Sequence, residues 1–327
     1  MVSYKKQHYV PQFYLRNFDA NVKKNPSIYC FNVLNCNSFI SNINKVAQKS
    51  YFYDSKNGDN DMENKLSNIE NELNKHIKLL VKNKNHKYLN NLQIRADLSY
   101  YMSIQFVRTA EKREFFKNQI NEFEKFISHD NEIDNEYSRI LQEFSSKDNI
   151  KNEHLKMIDE FSIDFIKYFY YKKWVLIKNK TKISFWTSDN PVVVFNPFYP
   201  EGIGQKHSHI FFPLSPKVCL CLCDPNYYTN FLEKKKKDFD VYSNMLKSTN
   251  YKLTDNECAK SINKLQVKFC THQVFSKFDD FNMFSDEYWN KIKELKQKPR
   301  TTIETLPFKS DKGNEIIRWG NYEGYEF

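Results

Sequence analysis

Glycine is scarce in this chain, with only six in 327 residues. Loops that cradle phosphates through bare backbone, and β-sandwiches stitched by tight turns, both need more glycine than this. Those classes are set aside. No uninterrupted apolar run is long enough to cross a bilayer. Met1 to Gln12 is polar and lacks the apolar core of a secretory leader. The sequence therefore predicts a soluble cytoplasmic protein that does not enter a membrane. HExxH, GxSxG and zinc-ribbon spacings are also missing, which removes several common enzyme classes. Seven cysteines are present without CxxC-type spacing. Cys219, Cys221 and Cys223 alternate along one predicted strand and so share a face. They read as small buried hydrophobes in a reducing compartment, not as metal ligands or disulfide partners.

The aromatic supply, by contrast, is large: 28 Phe and 21 Tyr. With 40% hydrophobic residues, the chain has ample material for a core, and wholesale disorder is excluded. The formal net charge is +10. That surplus favours an anionic partner, with nucleic acid or a nucleotide the first expectation.

The periodicity predicts one α+β domain, a mostly antiparallel sheet packed against long helices. Its segments are a hairpin segment (1–60), a helical segment (61–172), central strands (173–225) and C-terminal helices with a tail (226–327). Near the start, Ser27–Phe31 and Ser38–Ile43 predict a hairpin around Asn35-Cys36-Asn37. Leu66, Ile69, Leu73, Ile77 and Leu80 mark one helical stripe. A second pattern, about 89–128, is long enough to expect an interruption. Asp130 to Asn152 reads as loop, and a third stripe runs from Leu155 to Phe169. Trp174–Ile177 and Ile183–Trp186 predict an antiparallel hairpin turned at 178–181. Thr254 to Glu257 matches a helix-capping box, ahead of a stripe carrying Ile262, Gln266 and Phe269. The lysine run 234–237 reads as solvated surface. Past Pro299 the tail reads as irregular.

The stretch Ile183 to Phe195, ISFWTSDNPVVVF, looks like the centre of the chain. Two β-forming runs flank a polar knot of Thr187, Ser188, Asp189, Asn190 and Pro191. The residue before a proline is pushed toward extended backbone, so Asp189 sits in a restricted turn at a strand end. Its carboxylate could serve as base, metal ligand or arginine partner, with Thr187, Ser188 and Asn190 beside it. The competing reading is a turn that only caps a strand. His8 lies just before a short helix opened by Pro11, where the positive helix end disfavours its protonated form. A neutral imidazole there makes a general base, or it simply ties the segment down. Gln105 and Arg108 share one face of the second long helix, beside apolar residues. Arg108 can hold a carboxylate or phosphate bidentately, or pair internally with Asp189 or another acid. Alternate His207 and His209 lack an evident third ligand.

QHYVPQFYLRNF near the start, Gln105-Phe106-Val107-Arg108-Thr109, TSDNPV and Phe212-Pro213-Leu214-Ser215-Pro216 occur together and in this order. The set resembles a bacterial family, domain of unknown function 4238, over roughly His8 to Ser276. Ala110 stands where that family's pattern has proline. The resemblance implies one domain in which His8, Gln105, Arg108, Ser188, Asp189 and Asn190 converge. It implies no reaction. From these readings the expectation is a hydrolase or nuclease-like enzyme, with His8, Asp189 and Gln105 catalytic. Arg108, Ser188, Asn190 and Thr187 would hold substrate, and a divalent metal is compatible with the chemistry. The alternative is a non-catalytic nucleic-acid-binding or sensor module, part of a defence or toxin system, and a third reading is a toxin-like effector of bacterial defence that needs a partner.

Overall fold

The computed structural model describes residues 6–54, 61–129, 146–197, 202–224, 247–297, 301–306 and 316–321. The chain starts with β1 (Lys6–His8) and a one-turn helix α1 (Gln12–Leu15), which opens with Pro11 as its N-cap. The predicted hairpin forms as β2 (Ser27–Asn32) and β3 (Asn37–Asn42), with Cys36 at φ 53° in its turn. A short β4 (Gln48–Ser50) then pairs antiparallel with β1. That glycine-poor composition leaves Asn21, Cys36, Ala47, Tyr51, Lys84 and His207 to take positive φ. Such positions cost a non-glycine residue roughly 1 kcal/mol each.

Three helical runs follow. In α2 (Asp61–Asn83), Leu66, Leu73, Ile77 and Leu80 are buried, as the stripe requires. The next pattern is broken as expected: α3 (Leu92–Val107) ends at Arg108, and α4 (Ala110–His129) begins two residues later. Asn91 caps α3 by accepting from the Ile94 N–H. Part of the expected 130–152 loop is instead helix α5 (Lys147–Lys156), while 130–145 lies outside the described residues. A π-helical turn, Met157–Phe161, joins it to α6 (Ser162–Tyr170).

The central strands differ from the predicted hairpin. β5 (Lys173–Asn179) is separated from the short β6 (Thr187–Ser188) by a segment that pairs with no strand among the described residues. The reason is that side chains take the place of a strand partner. The Asn263 amide accepts from Trp186 N–H (2.9 Å) and donates to Ser184 carbonyl (2.8 Å). Asn179 and Thr181 hold the Ile183 carbonyl, and Phe185 N–H reaches Pro216. After the polar knot come β7 (Val193–Phe195), β8 (His209–Ser215) and β9 (Val218–Cys223). β8 carries Pro213 through a bulge next to Ser215.

The remaining elements are β10 (Thr249–Leu253), α7 (Asn256–Phe269), β11 (Gln273–Ser276) and α8 (Asp286–Gln297). Asp255 is the cap of α7, accepting from Glu257 N–H. The tail expected to be irregular holds an antiparallel pair, β12 (Thr301–Leu306) with β13 (Ile316–Asn321). Their register sets Ile303 opposite Trp319 and Thr305 opposite Ile317. The lysine run 234–237 lies outside the described residues.

The fold is α+β. A five-stranded sheet has the order β10-β5-β9-β8-β7, and a four-stranded sheet the order β3-β2-β11-β6. Only β10 with β5 runs parallel in them. β6 and β7 are edge strands of different sheets, so the polar knot joins the two sheets instead of turning within one. Helices α2, α3 and α6, the N-terminal segment and one face of the five-stranded sheet share the main core. Cys219, Cys221 and Cys223 lie together under α7 on the other face, as buried free thiols.

Candidate functional site

His8, Gln105 and Arg108 meet at the N-terminal segment, whereas Ser188, Asp189 and Asn190, expected to converge with them, hydrogen-bond residues 266–273. Tyr9 carbonyl accepts from Gln105 Nε2 at 3.0 Å, and His8 carbonyl accepts from Arg108 Nη2 at 2.7 Å. Gln105 and Arg108 are one turn apart, and the bend that follows β1 at Tyr9 turns the His8 and Tyr9 carbonyls toward both. Arg108 is buried, and each of its three nitrogens donates within the fold. Its Nη1 donates to Glu70 at 2.7 Å and its Nε to Tyr53 hydroxyl at 3.0 Å. Burial opposes the guanidinium charge, but Tyr53 and Glu70 outweigh it and lift the arginine above its ordinary range. Of the two internal partners foreseen for Arg108, the acid is Glu70, from α2, and Asp189 is bound elsewhere.

His8 lies in a strand, not before a positive helix end. Its pKa still falls, to about 4, because burial disfavours the imidazolium and Arg108 and Lys6 add repulsion. The Asn44 backbone opposes that fall. Nε2 is buried without a partner among the described residues. Glu63, on the first turn of α2, is pushed up to about 7 by burial, which Arg108 opposes and Glu70 and Asp54 reinforce. A carboxyl titrating near neutrality is suited to acid–base work.

The polar knot forms a second cluster. Asp189, 1% exposed, accepts from three backbone amides: Thr271 (2.7 Å), His272 (2.8 Å) and Gln273 (3.0 Å). These amides connect the end of α7 to β11, so the carboxylate stitches helix, strand and turn together. Burial lifts its pKa above the ordinary carboxylate value, against the pull of the amides and His272. Ser188 hydroxyl lies 2.8 Å from Gln266 Oε1 and 2.9 Å from Asn190 carbonyl. Asn190 Nδ2 donates to the Phe269 carbonyl at 2.9 Å. Gln266 Nε2 completes the arrangement by donating to the Pro191 carbonyl. A local Asx-type turn at Asp189 is not what forms: its carboxylate bonds are all long-range, Pro191 has no N–H to offer, and the local bond runs from Asn190 N–H to Ser188 Oγ.

Tyr14 ties the clusters together. Its hydroxyl lies 2.7 Å from Thr187 Oγ1 and donates to the Pro213 carbonyl, while its ring stacks on Phe212 at 5.0 Å. The N-terminal motif thus touches each of the other three: Gln105 and Arg108, Thr187, and Phe212-Pro213. Tyr9 lies between, its hydroxyl close enough to Asp189 for that charge, after burial, to raise its pKa. Residues 6–280 match the family described as protein of unknown function, DUF4238. The chain belongs to that family. No curated protein and no solved structure matches it.

Within this DUF4238 chain, sequence reasoning missed Tyr53, Glu63, Glu70, Asn263 and the amides of 271–273. Gln266 carried a usable signal: a polar residue inside an otherwise apolar helical stripe. Asn263, three residues earlier on the same buried face, extends it. Glu63 and Glu70 carried none, since acids on an amphipathic helix ordinarily face water. His154 was also passed over. Its Nε2–H donates to the Val107 carbonyl at 2.8 Å, its Nδ1 accepts from Arg113, and burial drops its pKa to about 3. That places it as a neutral structural histidine where α3 gives way to α4. Among the described residues, no group of three or more His, Cys, Asp or Glu side chains is placed to hold a metal ion.

Proposed function

We propose that this protein is an enzyme of hydrolytic type acting on a nucleotide or nucleic acid, with its chemistry at the His8–Glu63–Arg108 cluster. His8 acts as general base through Nε2, and Glu63 exchanges a proton with the leaving group. Gln105 and Arg108 fix the strand that carries His8. The Asp189 turn, with Thr187, Ser188 and Asn190, supports this arrangement from behind. The observation that carries the reading is the His8 imidazole, half-buried, whose Nε2 is buried and unpartnered among the described residues. A histidine serving only as filler would have that nitrogen bonded, because an unpaired buried acceptor costs roughly 1–3 kcal/mol. The net charge of +10 supports an anionic substrate.

Purified protein incubated with labelled RNA, DNA and nucleotides, with and without Mg²⁺ or Mn²⁺, tests the proposal. Turnover should appear and be abolished by His8→Asn at unchanged melting temperature. Absence of turnover in every mixture, or turnover indifferent to His8→Asn, would overturn it. A non-catalytic nucleic-acid-binding or sensor module is the second reading. It is favoured by the complete engagement of Arg108 and Asp189 within the fold. Salt-sensitive binding without turnover would support it.

A further inference from the structure

Four polar atoms around Arg108 are buried and lack a hydrogen-bond partner among the described residues: His8 Nε2, Glu63 Oε2, Tyr101 hydroxyl and Gln105 Oε1. They share one neighbourhood. Tyr101, Gln105 and Arg108 fall four and three residues apart, on one face of α3. His8 and Tyr9 grip that face through their carbonyls. Glu63 and Glu70 lie seven apart on α2, which packs on α3. Gln105 and Tyr101 are essentially inaccessible, at 0% and 1% exposed. Native proteins rarely leave such atoms unmatched unless water or a ligand meets them.

Their polarity says what the ligand must bring. Gln105 Nε2 donates to the Tyr9 carbonyl, which can only accept, so Oε1 is forced to face away. His8 Nε2 is buried and unpartnered beside it. Glu63 Oε2 also accepts, and the Tyr101 hydroxyl can do either. The cluster's strong donor, Arg108, is already turned to Glu70, Tyr53 and the His8 carbonyl. A phosphoester, which mainly accepts, meets mostly acceptors in these four atoms. A flat group rich in N–H finds its complement there, in a neighbourhood where the Tyr53 ring already lies 5.7 Å from the Arg108 guanidinium. Resting on the site proposed above, we infer that the Arg108 cluster receives the amino-bearing edge of a nucleobase, and that the phosphate of the same substrate is held elsewhere.

Calorimetric titration of the full chain with adenosine, cytidine, guanosine, uridine, inorganic phosphate and ribose 5-phosphate tests this directly. The amine-bearing nucleosides should bind at least about tenfold more tightly than uridine or either phosphate probe. Gln105→Met and Glu63→Met should each erase that preference. Glu63 is partly exposed, so its variant is expected to fold even if Gln105→Met does not. Binding of phosphate or ribose 5-phosphate as tight as that of the nucleosides overturns the inference. So does a preference that survives Glu63→Met, or no binding of any probe. Turnover with phosphate-led binding sinks the inference alone, whereas nucleoside binding without turnover sinks the hydrolytic reading alone.

Discussion

Asp189→Asn is the substitution that best separates chemistry from architecture in this chain. The native carboxylate accepts three amides, one on Oδ1 and two on Oδ2. Asparagine has one carbonyl oxygen for the same three donors. With that oxygen toward His272 and Gln273, its NH₂ group faces the Thr271 N–H; flipped, it faces the other two. At least one buried amide is stranded either way, at roughly 1–3 kcal/mol. The surviving bonds also lose their charge assistance. Burial raises the Asp189 pKa, so ionising it has a desolvation cost that asparagine avoids, which moderates the loss. The net expectation is a destabilisation of about 2–4 kcal/mol, with Asp189→Ala worse because all three amides are then orphaned. Urea denaturation followed by circular dichroism near neutral pH, at constant m, measures it. A change below about 0.5 kcal/mol would refute the amide-clamp argument and return Asp189 to the list of catalytic candidates.

The other expectations concern the Arg108 neighbourhood and the backbone. Arg108→Met should cost about 3–5 kcal/mol by leaving Glu70 unpaired, and adding Glu70→Leu should recover part of that loss. A double-mutant cycle with no coupling would contradict the buried pairing. Glu63 titrates near 7 in the folded chain against an ordinary 4.5, so its stabilising contribution is complete below about 4.5 and is lost as pH rises through about 7. Relative to Glu63→Gln, the native protein should therefore lose stability across that window. The ceiling is ~3.4 kcal/mol, and partial exposure reduces this to about 1–2 kcal/mol. The neutral His8 and His154 titrate in the opposite sense but cancel in the comparison, and parallel stability profiles would count against the raised carboxyl. Lys84, at φ 49° just past α2, donates its N–H to the Leu80 carbonyl in a left-handed helix stop. Lys84→Gly should raise stability by roughly 0.5–1 kcal/mol, and a loss on thermal melting would speak against strain there. Tyr14→Phe strips the hydroxyl from Thr187 and the Pro213 carbonyl and should cost roughly 1–3 kcal/mol. An unchanged denaturation midpoint would mean those groups find other partners.

Much of this architecture could be read from residue order. Apolar stripes determined α2 and α7, because an amphipathic helix must bury one face whatever it packs against, whereas α3 is buried on nearly every side and Leu92, read as part of its stripe, is exposed. Alternation in Val218–Cys223 set a strand with its three cysteines on one side. The co-occurring motifs identified the family and singled out His8, Gln105 and Arg108, which do come together. Which side chain satisfies which buried group was decided only by the fold. Asn263 displaced a strand partner from 184–186, Glu70 took Arg108, and the amides of 271–273 took Asp189. Each of these bonds spans from 38 to 84 residues of sequence. Local periodicity reports which face is buried, but not what distant donor or acceptor meets it there. For that reason the polar pairing of the site belongs to the tertiary structure alone.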